Sequence, residues 1–206
     1  MFRKNNKKKE KLKQCLSPPA FLNSVDSIYA LLKEAYDLHI KYLVDQNTST
    51  KTEASKKYLK ALTYVKNLQQ YNNLGSYGHT ILSHAAHFNA VDIIKFLIEE
   101  KKFAVDMPND TKITPLMEAS LHGNYEIVKY LVQHGANVNA KTNDGDSALL
   151  FAVEAGHLEI VKLLIENGAD KYYVQPLSGH SLLRIAKLEA RKNIVDYLVS
   201  LGISDK

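Results

Sequence analysis

A spacing governs what this chain can become. Thr80, Thr114, Ser147 and Ser181 follow one another at intervals of 34, 33 and 34 residues. Two residues after each stands a leucine (Leu82, Leu116, Leu149, Leu183), and three further on an alanine (Ala85, Ala119, Ala152, Ala186). Later in each unit come Ile93, Ile127, Ile160 and Ile194, each followed by Ile94, Val128, Val161 or Val195, and then by Leu97, Leu131, Leu164 or Leu198. Six columns in step through four units mark tandem copies of one supersecondary element, in which each copy packs on its neighbours.

Each unit has the signals of a helical hairpin. The Thr or Ser can cap free backbone N–H groups, and in the second unit Pro115 follows at the first helical position. A short inner helix is predicted to end near Gly123 or Gly156, where glycine turns left-handed at little cost. An outer helix such as "YEIVKYLVQ" follows and stops at Gly135, with Gly168 and Gly202 in matching places. The intervening "ANVNAKTNDGD" is turn-rich and predicts a projecting hairpin. A two-helix unit of this kind is apolar on both sides and is stable only when stacked.

The stretches "TPLMEASLHGNYEIVKYLVQHGANVNA" (114–140) and "DGDSALLFAVEAGHLEIVKLLIENGAD" (144–170) resemble the ankyrin repeat, and the resemblance extends over about residues 74–206. It implies an all-α solenoid with repeats at about 76–108, 109–141, 142–175 and 176–206, acting as a non-catalytic protein-interaction scaffold. In that family partners bind a concave face made by the hairpin tips and the two residues closing each inner helix. Carried onto this chain, the face contains Tyr77, His79, His87, Phe88, Ile113, Leu121 and His122, which are aromatic and apolar, beside acidic Asp144, Asp146 and Glu154. Aromatic anchors next to a charged rim suit a protein or peptide with an apolar segment beside a basic one. His84 falls where the family packs an apolar residue between repeats, and His134 and His157 fall at structural positions. The family's His after Thr-Pro-Leu is replaced by Ser83, Met117, Leu150 and Arg184, so its bonds between repeats are expected to be missing. "LVQHGANVN" (131–139) also resembles ankyrin segments modified by asparaginyl hydroxylase, which implies Asn139 as the acceptor.

Upstream, residues 16–73 do not follow the six columns. "SIYALLKEAYDLHIKYLV" and "ASKKYLKALTYVKNLQQY" place apolar residues three and four apart, predicting two amphipathic helices that cap the first repeat. "LSPPAFLNSVDSIYALL" resembles the start of an F-box, which would instead make this segment a recruitment module. Residues 1–15 form a basic tail. The first 13 carry seven Lys or Arg against one Glu, a charge of +6, which leaves −1 on the rest of a chain whose net charge is +5. The tail reads as solvated and disordered, with nuclear targeting through "KKKEK" or attraction to an anionic membrane as alternatives. It lacks interleaved aromatics, so nucleic acid is the weakest candidate partner.

The sequence has no Walker-type loop, no G-x-G-x-x-G, no G-x-S-x-G and no H-E-x-x-H, and its single cysteine, Cys15, supplies neither an internal disulfide nor a zinc cage. No enzyme activity, small-molecule substrate, cofactor or metal is expected, since His79, His87 and His122 lack a fourth ligand in the sequence pattern. An enzyme with an unfamiliar site in residues 16–73 is the competing class. "NDGDS" (143–147) lacks the spaced oxygens of a calcium loop and reads as a hairpin turn. The expected state is a monomer in the cytoplasm. The heavy use of Lys, Asn and Ile, typical of AT-rich genomes, adds a secreted bacterial effector or adaptor in a host cytosol to the possibilities.

Overall fold

The computed structural model describes residues 80–204 of the 206, together with Glu34, Glu53, Lys56 and Lys57. The basic tail, the predicted capping helices, the F-box-like stretch, Tyr77 and His79 otherwise lie outside the described residues. The chain divides into two compact units, 1–69 and 70–206. In the first, the four described residues are helical and the Lys57 ammonium lies 2.6 Å from the Glu34 carboxylate.

In the second unit, four hydroxyl side chains start four inner helices. Thr80, Thr114, Ser147 and Ser181 have extended backbones, and each side-chain oxygen accepts the N–H three residues on, satisfying a donor that the helix leaves unpaired. They open α1 (Ile81–His87), α3 (Pro115–Leu121), α5 (Ala148–Ala155) and α7 (Leu182–Leu188). Each is followed by an outer helix: α2 (Val91–Lys95), α4 (Tyr125–Gln133), α6 (Leu158–Glu166) and α8 (Lys192–Ser200). Inner helices stack in the order α1, α3, α5, α7 and outer helices in the order α2, α4, α6, α8. The leucines of both leucine columns lie in the interior, none of them more than 2% exposed. Burial of each such side chain stabilises the stack by about 1.5–3 kcal/mol.

The residues that replace the family's histidine serve their own unit. The Ser83 hydroxyl donates to the Thr80 carbonyl at 2.9 Å, and the Met117 sulfur accepts the Thr114 N–H at 3.4 Å, closing a reciprocal cap. Bonds between units come instead from the residue after each inter-helix turn. Asn124 Nδ2 donates to the carbonyls of Ala86 and His87 at 2.7 and 3.0 Å. His157 Nε2 donates to Leu121 O at 3.2 Å, and Arg191 places Nε and Nη2 on Glu154 O at 2.9 and 2.7 Å. These are successive members of one column, each stapling its unit to the last turn of the preceding inner helix. The Arg191 guanidinium thereby holds the last two units together. Replacing Arg191 by Met is expected to cost about 1–2 kcal/mol in urea unfolding, with Lys restoring only part of it, because one ammonium cannot reproduce a planar fork.

A second set of links runs beneath the outer helices. The Asp106 carboxylate accepts the Asn137 N–H at 3.0 and 3.1 Å. In the next unit Asn139 Oδ1 accepts the Asp170 N–H at 2.9 Å while its Nδ2 donates to Gly168 O at 2.9 Å. The Asn139 amide is thus occupied at both ends by the neighbouring unit.

The first unit carries one residue more than the others between its outer-helix leucine and the turn that follows, in "EEKKFAVD". The structure absorbs it without shifting the columns. After α2 the helix widens into a π turn over Phe96–Glu100, the Lys101 N–H reaches back five residues to Phe96 O, and Lys102 takes the left-handed turn with φ 58°. The closing bond then spans six residues, Phe103 N–H to Leu97 O, where the later units span five, as in Ala136 N–H to Leu131 O.

Candidate partner-binding surface

The inner-helix ends form an aligned strip, because His87, Leu121, Glu154 and Leu188 occupy one column of stacked helices. Leu121 is 39% exposed and Leu188 59%, while His87 and Glu154 are half-buried. The neighbouring column holds Phe88, His122, Ala155 and Glu189. Here one expectation is corrected. Phe88 is only 5% exposed; its ring lies 4.4 Å from the His87 ring and 5.3 Å from the His84 ring, centroid to centroid, and it packs inward where an anchor for a partner would have to face outward. The α1 helix ends at His87, and Phe88 begins the turn completed by left-handed Asn89, φ 54°. In the second unit the same column holds the exposed His122.

Ile113 is half-buried at the first described hairpin tip, which Asn109 holds in shape. The buried Asn109 Oδ1 accepts from Thr111 N, Thr111 Oγ1 and Ile113 N at 2.8–3.0 Å. At the next tip Asp144 is exposed, and Asp146 is half-buried with Oδ1 accepting from Gln175 Nε2 at 3.1 Å. "NDGDS" forms the turn, closed by Thr142 N–H to Asp146 O and by left-handed Gly145. The acidic side chains act on one another. Burial pushes the Glu154 carboxyl above its ordinary value, and the charges of Asp146 and Glu189 push it further. The Tyr173 hydroxyl, which donates to Gly145 O, is pushed up to about 12 by burial and then by Asp146 and Glu154. The Lys141 ammonium sits 3.6 Å over the Tyr173 ring and is itself pushed down by burial, partly offset by Asp170 and Asp146.

His87 and His122 come together, their ring centroids 3.8 Å apart. Between them stands a residue that the sequence pattern did not single out. Glu118, with its side chain only 6% exposed, places Oε2 at 3.3 Å from His87 Nδ1 and 3.6 Å from His122 Nε2. Burial, followed by the charge of His87, lowers the His122 pKa, and Glu118 opposes that in part. Glu118 shares a column with His84, Phe151 and Ile185, one assigned to packing between repeats. A carboxylate in an otherwise apolar and aromatic column was the available signal. His84 itself is buried, as its column implies.

A sequence model described as "Ankyrin repeats (3 copies)" matches residues 20–142, more than half of the chain, and one described as "Ankyrin repeats (many copies)" matches residues 122–165. The chain belongs to the ankyrin-repeat family. The first match begins upstream of the first unit that the six columns mark. Similar proteins include alpha-latrocrustotoxin-Lt1a of Latrodectus tredecimguttatus, 29% identical over 133 residues, which is 65% of this chain and 9% of the toxin. BCL-6 corepressor-like protein 1 of Homo sapiens is 30% identical over 125 residues, 60% of this chain and 7% of that protein. A putative ankyrin repeat protein of Rickettsia felis is 37% identical over 73 residues, 35% of this chain and 32% of its own length. The chain therefore spans at most about a third of these relatives. Ankyrin repeats generally mediate protein–protein interaction, and palmitoyltransferase akr1 of Emericella nidulans, 38% identical over 56 residues or 8% of its length, shows the repeat within an enzyme's chain. Among the described residues no helix is long and apolar enough to cross a membrane.

Proposed function

We propose that the ankyrin repeats bind a protein or peptide along the strip of hairpin tips and inner-helix ends, without catalysis, and that the bound segment is apolar where it meets the second unit and basic where it meets the third. One observation carries this reading: the exposed Leu121 lies one unit from carboxylates whose fields reinforce one another, Glu154 being held above its ordinary pKa in part by Asp146 and Glu189. A cluster of like charges is relieved by an incoming cation, and an exposed leucine beside it supplies the apolar anchor. Ile113, His87 and His122 border the apolar end. Phe88 is left out because it is buried. Tyr77 and His79 enter the proposal by their register in the sequence alone.

Peptide display on the full chain, counter-selected against the Leu121→Asp and Asp144→Lys variants, tests the proposal. The expected enrichment is for peptides joining an aliphatic or aromatic run to Lys or Arg, with affinity falling tenfold or more in either variant and weakening with added salt. Affinities indifferent to both substitutions would place the partner elsewhere. Glu154→Gln separates binding from folding. A carboxyl whose folded pKa is raised loses stability as pH rises through that value, so at pH 7 the neutral amide is expected to raise Tm while weakening a basic peptide.

A further inference from the structure

We propose that His87, Glu118 and His122 form a zinc site that spans the first two ankyrin units. Each residue offers one ligand atom, and the three atoms lie within 4.8 Å of one another. A tetrahedral zinc with bonds of about 2.0–2.1 Å has ligand-to-ligand edges of roughly 3.3–3.4 Å. The two edges from Glu118 Oε2, 3.3 Å to His87 Nδ1 and 3.6 Å to His122 Nε2, already approach that length, so closure around an ion needs only the two imidazoles to draw in. Two histidines and one carboxylate leave a fourth position for water or an incoming ligand, the arrangement of open zinc sites.

The surroundings favour an ion over a bare ion pair. The carboxylate forms a buried floor and the rings form walls, with side chains 30% and 35% exposed for His87 and His122, so an ion can enter from solvent. The His87 ring is steadied by the edge of Phe88, and the carbonyl of His87 is held by Asn124, which fixes the helix end that carries the ligand. His87 and Glu118 belong to different units, so an ion would join α1 to α3 just as the backbone staples do. The fourth position opens on the strip assigned to partner binding, yet the inference stands apart from that reading, because zinc alone reports on it.

The test is a titration of the full chain with Zn²⁺ in competition with a chromophoric chelator. It is followed by Co²⁺ substitution and by NMR of the imidazole nitrogens, with circular dichroism confirming the fold of each variant. One equivalent of micromolar affinity or tighter is expected, weakened at least tenfold in His87→Gln and in His122→Gln. The expected Co²⁺ spectrum has tetrahedral ligand-field bands without thiolate charge transfer, and NMR should show metal on Nδ1 of one ring and Nε2 of the other. The ion should raise Tm in the native chain and leave the double variant unchanged. Glu118→Gln should weaken binding similarly; if it does not fold, the two partly exposed histidines carry the test. No equivalent tighter than millimolar, or one that survives in the His87→Gln/His122→Gln chain, would overturn the site.

Discussion

Truncation of Leu131 to Ala is expected to lower the unfolding free energy by roughly 2–5 kcal/mol, the range for a large aliphatic side chain removed from a close-packed interior. Leu131 has no solvent exposure and sits in α4, which packs against α2 on one side and α6 on the other. In a solenoid the stability is a sum of unit terms and nearest-neighbour interfaces, so a lesion in an interior unit weakens two interfaces at once. Urea unfolding followed by circular dichroism should therefore show a midpoint shift together with a broadened or divided transition, as the flanking units lose their coupling. Leu198→Ala supplies the comparison. Leu198 is equally buried but lies in α8, whose outer-helix neighbour among the described residues is α6, so its loss should shift the midpoint while leaving a single transition. Identical transition shapes in the two variants would refute the nearest-neighbour account.

A pair of substitutions in one column should act with opposite sign. The turn after each inner helix is left-handed in all four units, at Asn89, Gly123, Gly156 and Ala190, with φ of 54°, 73°, 89° and 54°. At Gly123 an added Cβ would lie 2.6 Å from the His157 ring. Gly123→Ala therefore combines left-handed strain of about 1–2 kcal/mol with displacement of the ring that bonds Leu121 O, for a total loss of roughly 2–3 kcal/mol. Ala190 already bears that strain. Ala190→Gly should stabilise by roughly 1 kcal/mol, after allowance for the greater freedom glycine has in the unfolded chain. Chemical denaturation of both variants decides the matter, and two losses, or two gains, would show that backbone handedness does not control this column. Lys102 in the first unit and Lys112 in the second, at φ 58° and 62°, are further positions where glycine should help.

Much of this architecture could be read from spacing, because the stacking of identical hairpins imposes the same residue on every unit at the same depth. The cap hydroxyls, the buried leucines and the left-handed turns follow from the columns, and the structure finds each of them there. What escaped were features created by departures from the column rule. The longer segment after Leu97 could have lengthened a loop; it became a π turn because that preserves the helix hydrogen bonds while realigning the next hairpin. The missing family histidine suggested absent bonds between repeats, yet Asn124, His157 and Arg191 make such bonds from another position. Column position placed Phe88 and His122 alike, but ring size and local packing sent one inward and left the other at the surface. Glu118 stands in a packing column, and only the meeting of side chains from two units gives its carboxylate a role.

The staples also point in one direction. In every case the donor belongs to the later unit and the acceptor is a carbonyl of the earlier one, from Asn124 back to His87, from His157 back to Leu121 and from Arg191 back to Glu154. A ribosome makes each acceptor before its donor. For these staples, a unit made later meets acceptors that are already in place. Removal of the last unit would free the Glu154 carbonyl and uncover the apolar face of the third unit, whereas removal of the first strips the second of the carbonyls that its asparagine grips.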